Sequence, residues 1–146
     1  MAQTAERLHC GAVEHILVVD DSRLQRRIVS AMLNRWGYRV TEAGNGADAL
    51  LQCKENCADL IVSDWMMPGM IGLEFCLQLL AMNEDRYSYF ILLTSKLEKD
   101  EIAHGKENGA DDFPTKPVNA HELLARISAG ERILQMQREL QDEKTH

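Results

Sequence analysis

The sequence predicts a doubly wound parallel α/β sheet, and three observations predict it. Short aliphatic runs of strand length recur five times, each followed by a helical pattern, at a spacing of about 20 to 30 residues. Four of the runs end in polar residues in the order acid pair, acid, hydroxyl, lysine: Asp20-Asp21, Asp64, Thr94-Ser95 and Lys116. The chain has 146 residues, which fits one compact unit with a core large enough to need no covalent staples.

In chain order, residues 1–14 are polar and without period, and read as a flexible leader. His15 to Val19 is the first buried strand, ending at Asp20 and Asp21. A helix follows from Ser22, a good N-cap, with Leu24, Ile28, Val29, Met32, Leu33 and Trp36 on its apolar stripe and Gly37 as its stop. Tyr38 to Ala43 is a strand, Gly44-Asn45-Gly46 a turn, and Ala47 to Asn56 a second helix. Asp59 to Asp64 is the central strand, closed by Pro68-Gly69. A third helix occupies Gly72 to Met82, and Tyr89 to Ser95 forms a fourth strand. Glu98 to Asn108 is a polar helix, and Asp112 to Pro117 is a weaker fifth strand, placed at an edge by Pro114. Helices should cover both faces through right-handed crossovers.

Composition narrows the function classes. A net charge of -7 argues against a broad nucleic-acid footprint. Cys10, Cys53, Cys57 and Cys76 lack the paired spacing of zinc ribbons and fit small hydrophobes in a reducing cytosol. The expected location is cytoplasmic, with no membrane partner, because no apolar run approaches the roughly 18 residues of a spanning helix.

In open sheets of this class, ligands bind beyond the carboxyl ends of the strands. Asp20, Asp21, Asp64, Thr94 and Lys116 all fall there. Taken singly, Asp64 reads equally well as a helix cap, a metal ligand or a nucleophile. Three converging carboxylates repel one another unless a cation joins them, and an all-oxygen ligand set favours Mg2+ over zinc. Lys116 can neutralise one phosphoryl oxygen and Thr94 can donate to another. Together they compose an electrostatic clamp for phosphoryl transfer, with Asp64 as the acceptor.

These residues resemble the receiver domain of bacterial two-component response regulators. The likeness runs from Ile16 to Ile127 and is carried by Val18-Val19-Asp20-Asp21-Ser22, Asp64-Trp65-Met66-Met67-Pro68-Gly69, Leu93-Thr94-Ser95 and Gly109 to Pro117. It implies a flavodoxin-like, five-stranded sheet of order 2-1-3-4-5 with an extended C-terminal helix. Asp64 would take a phosphoryl group from a histidine kinase or phosphotransfer protein. Asp20, Asp21, Asp64 and the backbone carbonyl of Met66 would hold Mg2+, while Thr94 and Phe113 would act as the switch pair. It also implies no enzymatic activity beyond the domain's own phosphorylation and slow dephosphorylation.

Val118 to Arg132 reads as the last helix, with Asn119 as N-cap and Glu122 as its capping-box partner. Residues 15–130 form the receiver unit. Beyond Gly130, the spacing of Ile133, Met136 and Leu140 opens a heptad seam, so residues 131–146 read as a helical extension or coiled-coil linker. Such a seam suits a homodimer, and the linker resembles those leading into diguanylate cyclase domains. Two rival readings are an aspartate-nucleophile phosphatase and a degenerate docking module. The first is disfavoured because Met66 stands where a second acid is needed, and the second because the acidic set is intact.

Overall fold

The computed structural model describes residues 13–65, 69–70, 72–82, 88–95, 111–116 and 119–145. The residues described form strands β1 (His15–Val19), β2 (Arg39–Ala43), β3 (Leu60–Asp64) and β4 (Tyr89–Leu93), with helices α1 (Arg23–Arg35), α2 (Gly46–Asn56), α3 (Gly72–Met82) and α4 (Ala120–Thr145). The sheet is parallel, in the order β2-β1-β3-β4. Most of the leader and the expected polar helix at 98–108 lie outside the described residues.

Period-two alternation splits the core into two layers. Ile16, Val18, Leu60, Val62, Ile91 and Leu93 face Leu33 of α1 and Leu123, Ile127 and Leu134 of α4. Leu17, Val19, Ile61, Phe90 and Leu92 face Ala49 and Cys53 of α2 and Phe75, Cys76 and Leu79 of α3. Both faces are therefore covered, which is why β1, β3 and β4 are buried at every position. Burial pushes the Cys76 thiol up to about 12, with the Asp111 carboxylate adding to the effect, so this sulfur is a packing group.

Helix ends follow the side-chain chemistry. Ser22 Oγ accepts the Gln25 N–H at 3.3 Å, Asn45 Oδ1 that of Asp48 at 2.8 Å, and Asn119 Oδ1 that of Glu122 at 2.7 Å. Gly37 ends α1 with φ at 99°, a conformation that costs a side chain dearly.

The structure corrects two expectations. The fifth strand is reduced to two parallel bridges against β4, Ile91 with Asp112 and Thr94 with Thr115. Asp112 N–H donates to Phe90, Leu92 N–H to Asp112, Thr94 N–H to Pro114 and Lys116 N–H to Thr94. The rung between them needs an N–H from Pro114, which has none, so the ladder breaks in its middle. Secondly, Leu24 and Ile28 do not join the core stripe of α1; they are 68% and 49% exposed. Only one side of α1 meets the sheet. The last helix runs unbroken from Ala120 to Thr145, so the helical extension expected beyond Gly130 is continuous with it.

Candidate functional site

The chemistry collects where the strands end. Asp64 is the last residue of β3 and is buried; its Oδ1 accepts the Trp65 N–H at 2.9 Å and the Lys116 ammonium at 2.7 Å. Asp20 follows β1 and is half-buried. Its N–H donates to the Ala43 carbonyl at 3.2 Å, and its Oδ1 accepts the Ser22 N–H at 2.9 Å. Asp21 is exposed, and its side chain has no hydrogen bond or ion pair among the described residues.

One oxygen from each of Asp20, Asp21 and Asp64 lies within 4.8 Å of the other two. Burial raises the Asp20 carboxyl above its ordinary value, the carboxylates of Asp64 and Asp21 push it further, and the Ser22 N–H only partly opposes them. With Lys116 as the cation on Asp64, the cluster is short of positive charge. Three oxygen donors with that deficit fit a hard divalent ion. Asp20, Asp21, Asp64 and Lys116 line one cavity of about 540 Å³ together with Ser22, Gln25, Leu93 and apolar residues of α1. A second cavity, of about 660 Å³, lies between α1 and the start of α4 and is lined by Ile28, Met32, Trp36 and His121, with no carboxylate among the described residues.

Thr94 is fully buried; its hydroxyl donates to the Pro114 carbonyl at 3.3 Å and to no carboxylate. Phe113 is half-buried and packs against the α2–α3 side of the core. Met66, the expected carbonyl ligand, and Pro117 fall outside the described residues.

The family model for the response regulator receiver domain matches residues 16–128, the span that carries all of these groups except the leader and the end of α4. This chain belongs to that family. Receiver domains are the phosphoacceptors of two-component systems; they interact with histidine kinases or phosphotransfer proteins and are in general signalling modules without enzymatic activity. This receiver domain is 39% identical over 114 residues to the phosphate regulon transcriptional regulatory protein PhoB of Escherichia coli (strain K12), covering 78% of this chain and 50% of PhoB. It thus spans about half the length of that relative. The chemotaxis response regulator CheY4 of Vibrio cholerae superposes with a TM-score of 0.73 at 31% identity, over 81% of this chain and 98% of that one. A two-component system response regulator/GGDEF domain protein superposes with a TM-score of 0.73 at 25% identity, over 92% of this chain and 54% of that one.

Sequence reasoning missed the role of Arg26. Arg23, Arg26 and Arg27 off the apolar stripe of the first helix read chiefly as a solvated face, yet the Arg26 side chain is only 17% exposed and is already engaged. Its Nε donates to Glu42 Oε1 at 3.0 Å and its Nη1 to the backbone carbonyl of Asp20 at 2.8 Å. No local signal predicts a pair sixteen residues apart. Also missed were the Asp59–Arg138 pair at the opposite end of the sheet and Glu131, which accepts the Val13 N–H and the Tyr38 hydroxyl.

Proposed function

We propose that Asp64 is the phosphoacceptor of this receiver domain, with Asp20, Asp21, Asp64 and the Met66 carbonyl as Mg2+ ligands and Lys116 and Thr94 as partners of the phosphoryl oxygens. The observation that carries the reading is the approach of three carboxylate oxygens within 4.8 Å beside an ammonium 2.7 Å from Asp64. When bound, Mg2+ supplies the positive charge that lets these carboxylates stand beside an incoming phosphoryl group. An Asp64 carboxylate oxygen attacks phosphorus, the bond to the donor's leaving group breaks, and its electron pair departs with that group. The product is an acyl phosphate on Asp64. Lys116, poised on Asp64 before transfer, neutralises a phosphoryl oxygen afterwards. Thr94 reaches another by exchanging its bond to Pro114, and Phe113 follows as the second half of the switch.

The domain acts in the cytoplasm and binds neither nucleic acid nor a membrane directly; no helix among the described residues is long and apolar enough to cross one. Residues 131–146 extend the receiver unit of 15–130 as a coupling helix. Ile133, Met136 and Leu140 are 39%, 62% and 55% exposed on it, at heptad spacing. They pair with the same stripe of a second copy, and phosphorylation shifts that equilibrium. The GGDEF-domain protein, whose superposition takes in 92% of this chain, supports a linker role.

Acetyl phosphate with Mg2+ tests the reaction. The parent protein gains the mass of one phosphoryl group and Asp64→Asn gains none, while sedimentation before and after reports the pairing. Labelling of Asp64→Asn equal to the parent overturns the assignment, and sustained turnover of small phosphoesters would favour the phosphatase reading.

A further inference from the structure

We infer that Arg26 is a positioning residue for the divalent-cation site, acting through the peptide that joins Asp20 to Asp21. The inference rests on the reading of the acidic cluster as that site. Asp21 is exposed and its side chain has no hydrogen bond or ion pair among the described residues, so its place depends on its backbone. That backbone is held from one side. The Asp20 N–H is bonded to Ala43 and the Asp20 carboxylate to the Ser22 N–H, while the Asp20 carbonyl, which belongs to the peptide leading into Asp21, receives Nη1 of Arg26 at 2.8 Å.

Arg26 is itself fixed. Its backbone N–H closes the first turn of α1 on Ser22 at 2.9 Å, its Nε is bonded to Glu42 near the end of β2, and its guanidinium rests against Gly44, where an added Cβ would lie 3.6 Å from Nη1. The Glu42 backbone is tied in turn to α2, its carbonyl accepting from Gln52 Nε2 at 2.8 Å. A planar fork can serve a carboxylate and a carbonyl at once, which an ammonium cannot do from the same place. Partners of this kind, one step behind the ligands, set ligand geometry and hence affinity.

The sign of the effect separates this role from a mere nearby charge. A positive group beside a cation site repels the cation, so deleting it for charge reasons alone would tighten binding. Positioning predicts the reverse. Calorimetric titration of the full chain with Mg2+ should show binding that Asp21→Asn abolishes. Arg26→Met should weaken it about tenfold, the lower end of the usual range for such partners. Arg26→Lys, which keeps the charge and loses the fork, should weaken it by less, and acetyl phosphate labelling of both variants should recover at saturating Mg2+. Unchanged affinity in Arg26→Lys, tighter binding in Arg26→Met, or a lowered melting temperature without Mg2+ and no change in affinity would each overturn the inference. Absence of Asp21-dependent binding in the parent would overturn the underlying site reading as well, and is read in a separate arm.

Discussion

Asp59 and Asp64 stand at opposite ends of the same strand, 6% and 9% exposed, yet they live in different chemistry. Where β3 begins, Asp59 is saturated: Oδ2 accepts the N–H groups of Glu14 and His15 at 3.0 and 3.1 Å, and Oδ1 accepts Arg138 at 2.8 Å. Burial alone would raise its carboxyl, but the Glu14 N–H, Arg138 and the His15 N–H outweigh it and hold it below its ordinary 3.8. Glu131 is treated alike there, buried and bonded by the Tyr38 hydroxyl and the Val13 N–H. Where β3 ends, Asp20 is raised instead, by burial and then by its acidic neighbours. A buried carboxylate needs partners. At the lower edge the chain supplies them in full and the acids hold α4 in place; at the upper edge Trp65, Lys116 and Ser22 serve Asp64 and Asp20, but three carboxylates are gathered there with fewer donors than they can accept.

Breaking the satisfied end should have the largest effect. Asp59→Ala removes the acceptor of one Arg138 hydrogen bond and of the Glu14 and His15 N–H groups, and chemical denaturation should show a loss on the order of 3 kcal/mol. The pH dependence follows in sign. Because the folded carboxyl sits below 3.8, the unfolded chain binds the extra proton in that window. The contribution is therefore complete above the unfolded value and is lost as pH falls through the folded one. Asp59→Asn should flatten the acid limb of stability against pH.

A smaller effect is expected about two turns before Arg138 on α4. A Cβ at Gly130 would lie 2.5 Å from Tyr89 Cδ2, so Gly130→Ala must push the helix off a ring set in β4. After the helix-propensity gain of alanine, a net loss of about 1 to 2 kcal/mol should appear as a lower melting temperature.

The smallest change sharpens the contrast by reversing its sign. Asp20→Asn removes a carboxylate that its neighbours disfavour, so without Mg2+ the variant should melt slightly above the parent, whereas with Mg2+ the parent should regain the lead. A lower melting temperature for the variant in both conditions would mean that Asp20 is stabilised by the chain itself.

Much of this was legible in residue order. The aliphatic runs of β1, β3 and β4 became wholly buried strands, and the caps Ser22 and Asn119 work as their types suggest. Asp20, Asp21, Asp64 and Lys116 meet because parallel strands end at one edge. Other features were not legible. Arg138 reaches Asp59 across 79 positions and Tyr38 reaches Glu131 across 93, while each alone reads as a solvated helix charge or a strand aromatic. Leu24 and Ile28 matched a helical stripe yet stay exposed, because which side of α1 meets the sheet is set by the docking of the whole helix.

Period, caps and the residue type at each strand end determined the architecture and the chemical character of its upper rim, because these depend on neighbours along the chain. Which charges are spoken for was decided only in three dimensions. The energy of a buried or half-buried charge depends on donors brought in from distant segments, so the tertiary structure alone made Asp59 an anchor, tied Arg26 to Glu42 and the Asp20 carbonyl, and set Asp20 beside two other carboxylates.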